Sequence, residues 1–406
     1  MNSHQKVLPE KLAPAILHWR PAEPLPPGTV VHLYFAPFDV PQSRALRGGR
    51  AAMDAGLAGG TLYVGHDYRD SPELTSQQEG SLLWNVPTGA QVGTQGRFSR
   101  ALRLPKWWWQ VYRALRGTRP VFLQCHSLAT LPVAVALSRR TGAPVLYDAH
   151  ELESQRNGWP AWVCRIARAV EGLLIRGVAQ TTVVNDLIAD WYRSAYPGRP
   201  VTTVRNLPQR PVCAVERNDR LRRNLGIGPD GLIFIYVGLL GPGRGLEMLI
   251  EAFRDLPADR HLVMLGNGPS APMCREASRT AANIHVHEPV PPAEVLELVA
   301  GADVGLVFFA QDALSYVYSL PNKLFECLGA GLPVIANDMP AVSRVLRETG
   351  RGWILPDLNA DRLRKLVSQI SRQDITARLA SPLNIPYWED EVPKLIAIMR
   401  ALGHHR

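Results

Sequence analysis

Short apolar runs alternate with longer amphipathic stretches from about residue 30 to the end of the chain. In the first half, Val30–Phe35, Thr61–Val64, Val121–Gln124, Val145–Asp148, Thr181–Val184 and Val201–Arg205 predict strands. In the second half, Leu232–Val237, His261–Leu265, Ile284–His287, Val304–Phe308, Val334–Ala336 and Gly352–Leu355 continue the rhythm. Many of these runs are apolar throughout rather than alternating, the mark of strands buried on both faces of a parallel sheet. Strand–helix alternation predicts right-handed crossover units, and such sheets take ligands beyond the carboxyl ends of their strands. Two sets of about 200 residues each therefore predict an α/β chain with two doubly wound, Rossmann-like domains. The proline-containing segment Asn206–Arg223 is the linker candidate, and the tail after Pro386 reads as a terminal helix.

Composition narrows the class of protein. With 406 residues, 46% apolar and 20% charged, the chain is globular rather than disordered or fibrous. The 45 basic residues against 36 acidic ones leave a net charge of +9, and only six of the basic residues are lysine. Guanidinium in excess either points to anionic partners or reflects coding composition. No nucleic-acid module is recognisable, so nucleic acid ranks last among those partners. The N-terminal residues have no apolar core of signal-peptide length, and no apolar run reaches the ~18–20 residues of a membrane span. Cys125, Cys164, Cys213, Cys274 and Cys327 are scattered, without a paired spacing. They read as reduced thiols of a cytoplasmic protein.

Two segments carry phosphate chemistry. After the strand ending at Val237 comes a turn with Gly238, Gly241, Gly243 and Gly245, and a helix is predicted from about Leu246. Glycines let backbone N–H groups approach a ligand, and the helix N-terminus favours an anion. Arg244 sits in that turn and either grips a diphosphate or is simply solvated. The spacing is not the dinucleotide fingerprint G-x-G-x-x-G. The second segment is Ser319–Asp338. Pro321 starts a helix there, and Lys323 and Glu326 share a face. They suit phosphate and ribose, or else form a surface ion pair.

These residues resemble the retaining glycosyltransferases of family four, whose fold pairs two Rossmann-like domains across a cleft (GT-B). The resemblance rests on Tyr236–Glu247, His261–Pro269, Ala302–Phe308, Leu320–Glu326 and Gly329–Val334. In the first half it rests on Val121–His126, Leu146–Leu152, Thr182–Leu187 and Val204–Pro208. It implies an acceptor-binding domain over 1–207, a donor-binding domain over 208–386, and a terminal helix, 387–406, packing back on the first domain. It implies transfer of a sugar from a nucleotide-diphosphate sugar to a glycan, lipid-linked or small-molecule acceptor, as in polysaccharide or glycoconjugate synthesis. An epimerase or hydrolase of the same fold, or a non-catalytic partner subunit, is the alternative.

The resemblance also implies roles residue by residue. Gly238, Arg244 and Gly245 would meet the donor diphosphate. Asn322, Lys323 and Leu324 would lie at donor phosphate and sugar, and Glu326 would hold the ribose. His126 would lie near the donor sugar, with His150 and Glu151, in an Asp-x-His-Glu cluster with Asp148, on the acceptor side. The first glutamate of the family's paired-glutamate motif is replaced by Tyr318, and a family arginine by Leu239. Without an Asp-x-Asp motif no metal is expected, and Arg244 and Lys323 would neutralise the leaving diphosphate. No other cofactor is implied.

One motif lies outside this scheme. Arg97–Arg116 combines arginines, Lys106 and three consecutive tryptophans with no acid. It reads either as a helix packing its tryptophans on the sheet or as a contact with an anionic membrane surface on the cytoplasmic side.

Overall fold

The computed structural model describes residues 17–21, 23–35, 43–67, 80–88, 102–211, 215–380 and 382–403. Cys213 and residues 97–101 of the cationic motif lie outside that set.

The chain forms two parallel sheets. The first contains β1 (Leu17–His18), β2 (Thr29–Leu33), β3 (Gly60–Asp67), β4 (Ser81–Pro87), β5 (Leu123–Cys125), β6 (Val145–Ala149), β7 (Gln180–Val183) and β8 (Val201–Thr203). Its order is β1-β4-β3-β2-β5-β6-β7-β8. The second contains β9 (Leu232–Val237), β10 (Arg260–Leu265), β11 (Ile284–His287), β12 (Val304–Val307), β13 (Val334–Asn337) and β14 (Gly352–Leu355), in the order β11-β10-β9-β12-β13-β14. This is a two-domain, Rossmann-like GT-B architecture.

Burial explains the uninterrupted apolar runs. Along β2, Val30 packs toward the C-terminal helix while Val31 and Leu33 pack toward the helices on the other face. Along β9, Phe234 and Tyr236 enter one core and Ile233, Ile235 and Val237 the other. Each strand is covered twice, so it has no wet face to alternate toward.

Two strands escape the pattern seen in the sequence. β4 carries Asn85 and ends at Pro87, and it sits near the sheet edge with only the two-residue β1 outside it. Less burial asks for less apolar continuity. The linker candidate is also shorter than the sequence reading: a helix starts at Arg220 and buries Leu221 in the second domain. The chain returns to the first domain through the helix Trp388–Gly403. There Trp388, Leu395, Met399 and Leu402 pack with Val30, Phe122 and Leu146. Arg47 lies 4.6 Å over the Trp388 ring, and Glu391 accepts a hydrogen bond from the Arg205 backbone N–H at 3.1 Å.

Candidate active site

A cleft of about 400 Å³ opens where the carboxyl ends of the two sheets face one another. His150, Glu151 and Asn206 line it from the first domain. Gly238, Arg244, Asn322, Lys323 and Glu326 line it from the second.

The second-domain wall is a cationic pocket built on aromatic faces. The helix Asn322–Gly329 begins after Pro321, whose extended backbone stops the preceding loop. Lys323 is only 7% exposed. Its ammonium stands 3.8 Å from the Tyr236 ring centre and 4.9 Å from that of Phe309. The Arg244 guanidinium lies 4.6 Å from Phe309 and 5.5 Å from Tyr316. Among the described residues neither Lys323 Nζ nor Arg244 Nε has a hydrogen-bond partner. Burial, and then the charge of Arg244, pushes the Lys323 pKa well below its ordinary value. Burial raises that of Glu326, with Lys323 opposing. A buried cation beside a half-buried one, with no fixed anion among the described residues, is costly, and an anionic ligand lowers that cost.

Glycine is required at the turn. Gly238 lines the cleft at φ +116°, where an added side chain would meet open space rather than protein. The backbone there is bare to a ligand. Gly245 caps the helix Leu246–Arg254 at φ +71°, and a Cβ would come within 2.9 Å of Phe308. Gly245 therefore shapes the turn from behind. Leu324 points away from the cleft into the second-domain core.

The first-domain wall is a histidine network anchored by one carboxylate. Asp148, at the end of β6, is buried and takes both arms of Arg44, Nε to Oδ2 at 2.9 Å and Nη2 to Oδ1 at 2.8 Å. The Thr182 hydroxyl donates to Oδ1 at 2.8 Å. His150 Nε2 lies 3.2 Å from Oδ2, and His126 Nδ1 lies 3.3 Å from the same oxygen. His126 Nε2 is 3.1 Å from His32 Nδ1. Burial alone would raise the Asp148 pKa, but Arg44 and the two histidines hold it well below the usual carboxylate range. Burial lowers His126 to about 4 despite Asp148, so its ring is neutral at pH 7.

His126 stacks on Tyr34 with ring centres 4.0 Å apart and stands behind His150, outside the cleft lining. His126, expected near a donor sugar, has its Nδ1 3.3 Å from His150 Nε2. His126, Asp148 and His150 place ligand atoms within 4.8 Å, close enough to hold a metal ion. Arg44 already occupies both Asp148 oxygens, so a cation there would face a fixed positive charge.

The domains meet across the cleft. Ser315 Oγ donates to Glu151 Oε2 at 2.9 Å, and Arg156 holds the other oxygen at 3.0 Å. Tyr318, the replacement for the motif glutamate, packs on the first-domain core, and its carbonyl accepts from Asn185 Nδ2 at 2.7 Å. Next to it, Ser319 lines the cleft with a buried hydroxyl that has no partner among the described residues. Sequence reasoning missed Ser315, Tyr316, Ser319, Phe309, His32 and Arg44. They act through contacts between distant segments, and no local spacing signals them.

Comparison with known proteins supplies the family. Residues 217–381 match the profile described as Glycosyl transferases group 1, and residues 42–206 match Glycosyl transferase 4-like domain. The chain belongs to the group 1 glycosyltransferases. A curated relative, D-inositol 3-phosphate glycosyltransferase of Acidothermus cellulolyticus, is 23% identical over 315 residues, covering 70% of this chain and 68% of the relative. In other curated relatives that it matches, the chain spans less than half of the relative's length. The sucrose-phosphate synthase structure from Thermosynechococcus elongatus superposes with a TM-score of 0.70 at 14% identity, over 93% of this chain and 100% of that one. Anabaena Alr3699/HepE in complex with UDP-glucose superposes at 0.65 and 13% identity, over 93% and 98%. At such identities the likeness is one of fold. This glycosyltransferase therefore carries its cationic pocket on the group 1 domain and its histidine network on the 4-like domain.

Proposed function

We propose that this glycosyltransferase takes a nucleotide-diphosphate sugar in the cleft and transfers the sugar with retention, without a metal, to a glycan, lipid-linked or small-molecule acceptor. The observation that carries the donor is the pair of cations lining the cleft, the buried Lys323 and the half-buried Arg244, whose Nζ and Nε have no hydrogen-bond partner among the described residues. A diphosphate supplies the anion that this pair lacks, and the bound UDP-glucose of the Anabaena neighbour is a ligand of that chemistry. Glu326 stands one helical turn from Lys323 and reaches the ribose hydroxyls from the same wall.

The reaction needs charge stabilised on the leaving diphosphate as the glycosidic bond breaks. Arg244, Lys323 and the N-terminus of the helix Asn322–Gly329 supply it in a partly desolvated cleft. The bare backbone at Gly238 lets the phosphates approach, and the unpartnered Ser319 hydroxyl is free for a sugar hydroxyl. Opposite, His150 and Glu151 face the acceptor side, and His126 and Asp148 hold the His150 ring. A retaining transfer of this kind uses the released diphosphate oxygen as the base for the acceptor hydroxyl, so no protein nucleophile is required.

Titration calorimetry with UDP and the other nucleoside diphosphates tests the donor reading. Binding by the wild type that weakens at least tenfold in Arg244→Ala and in Glu326→Ala supports it; unchanged affinity in both overturns it. Donor incubated alone separates transfer from hydrolysis or epimerisation, and full activity in a chelator is the expected result for metal independence. The anomeric configuration of the product, read by NMR, decides retention.

A further inference from the structure

One helix exposes what a packed helix normally hides. Ala161–Leu174 turns Trp162, Ile166, Val170 and Leu173 to solvent, each between 42% and 66% exposed. The opposite side of the helix is pinned. Glu171 is buried and its carboxylate accepts hydrogen bonds from Tyr147 at 2.7 Å, Tyr192 at 2.6 Å and Tyr196 at 2.7 Å. At about 100° per residue, Trp162 lies half a turn from Glu171, with Ile166 and Leu173 close beside it. The tyrosine anchor therefore fixes the rotation that presents the apolar stripe outward.

The stripe has a cationic border. Arg165, Arg168, Arg176 and Arg199 line an adjoining groove of about 860 Å³. Among the described residues no carboxylate pairs with any of the four, and the only acid of the helix is the buried Glu171. The same helical layer contains Leu104–Leu115, whose tryptophans part company. Trp107 is buried and donates to the Gly65 carbonyl at 3.0 Å, Trp108 donates to that of Ala129 at 2.7 Å, and Trp109 is exposed beside Arg113.

We propose that the helix Ala161–Leu174 and its arginine groove are a docking surface for an anionic lipid bilayer. The apolar stripe enters the headgroup boundary, and lipid phosphates sit in the groove. Apolar exposure of this extent is the mark of an interaction site, and a one-sided arginine border with no acid is complementary to a negative surface rather than to a mixed-charge protein face. The helix begins eleven residues after His150, so the loop that walls the cleft leads directly onto the docking surface.

Co-sedimentation with vesicles of phosphatidylglycerol and phosphatidylcholine tests the proposal independently of donor or activity. Wild-type protein should pellet with these vesicles, and at least tenfold more weakly with phosphatidylcholine alone. Ile166→Glu with Leu173→Glu should lower binding at least tenfold, as should Arg165→Glu with Arg176→Glu. All four side chains are exposed, so melting temperatures should stay at the wild-type value and exclude misfolding as the cause. Absence of wild-type binding, equal binding to neutral vesicles, or full binding by either double variant overturns the proposal. So does a wild-type dimer by sedimentation velocity that Ile166→Glu with Leu173→Glu dissolves, without vesicle binding; the stripe would then be a self-association face.

Discussion

Replacing Lys323 with methionine should move stability and ligand affinity in opposite directions. In the empty protein the ammonium is buried, unpartnered and repelled by Arg244. The effective desolvation penalty of a buried ion is several kcal/mol, and a desolvated cation–π contact returns about 2 kcal/mol of it. Lys323→Met keeps the apolar stem against Tyr236 and removes the charge, a net stabilisation on the order of 1–2 kcal/mol. For a domain of this size that is a rise of about 2–8 °C in melting temperature. The same change deletes a charged hydrogen bond to the diphosphate, worth about 1.5–3 kcal/mol, or roughly ten- to 150-fold in affinity. The assay is a thermal melt with and without saturating nucleoside diphosphate, followed by calorimetric titration. A lower melting temperature for the empty variant, together with unchanged affinity, would refute the reasoning. The pH dependence has a definite sign. Because the folded pKa of Lys323 is depressed, the unfolded chain holds more protons, so the empty protein gains stability as pH climbs from that depressed value toward the unfolded value of about 10.4. Lys323→Met should lose this gain.

Three further outcomes follow from named contacts. Asp148→Asn leaves the Arg44 guanidinium buried against a neutral group and should cost about 3–5 kcal/mol at pH 7 in denaturant unfolding. In the wild type the Asp148 contribution is present above about pH 4 and is lost as pH falls through its depressed folded pKa, so the variant should show a flatter acid limb. Tyr192→Phe removes one of three donors to the buried Glu171 and should lower unfolding free energy by about 1–3 kcal/mol, with binding of nucleoside diphosphate untouched. For Glu326, a 2′-deoxynucleoside diphosphate should bind the wild type more weakly than its ribose counterpart, while Glu326→Ala should no longer tell the two apart; equal discrimination in both proteins would remove Glu326 from the ribose.

Much of the fold and half of the site were legible along the chain. The twelve strands read from apolar runs are present, because a strand covered on both faces must be apolar at consecutive positions. The glycine turn and the helix after Pro321 were legible for a similar reason: positive φ and a helix start each demand particular residue types locally. β4 was not, since a strand near a sheet edge tolerates Asn85 and Pro87. Nor was the position of His126, whose neighbours His32 and Tyr34 lie in and just after β2 while Asp148 lies in β6.

The amino-acid sequence by itself determined two parallel α/β domains, a glycine turn bearing Arg244, and a helix bearing Lys323 and Glu326, because each depends on residues within a few positions of one another. Tertiary structure alone decided which of these charges lack partners, since pairing is set by segments more than a hundred residues apart. Arg44 reaches Asp148 and Ser315 reaches Glu151, while among the described residues no hydrogen-bond partner reaches Lys323 Nζ. It also decided which apolar residues stay outside. Trp107 and Trp162 are alike in sequence, but one is drawn into the sheet and the other is held in solvent by a glutamate buried among three tyrosines on the far side of its helix.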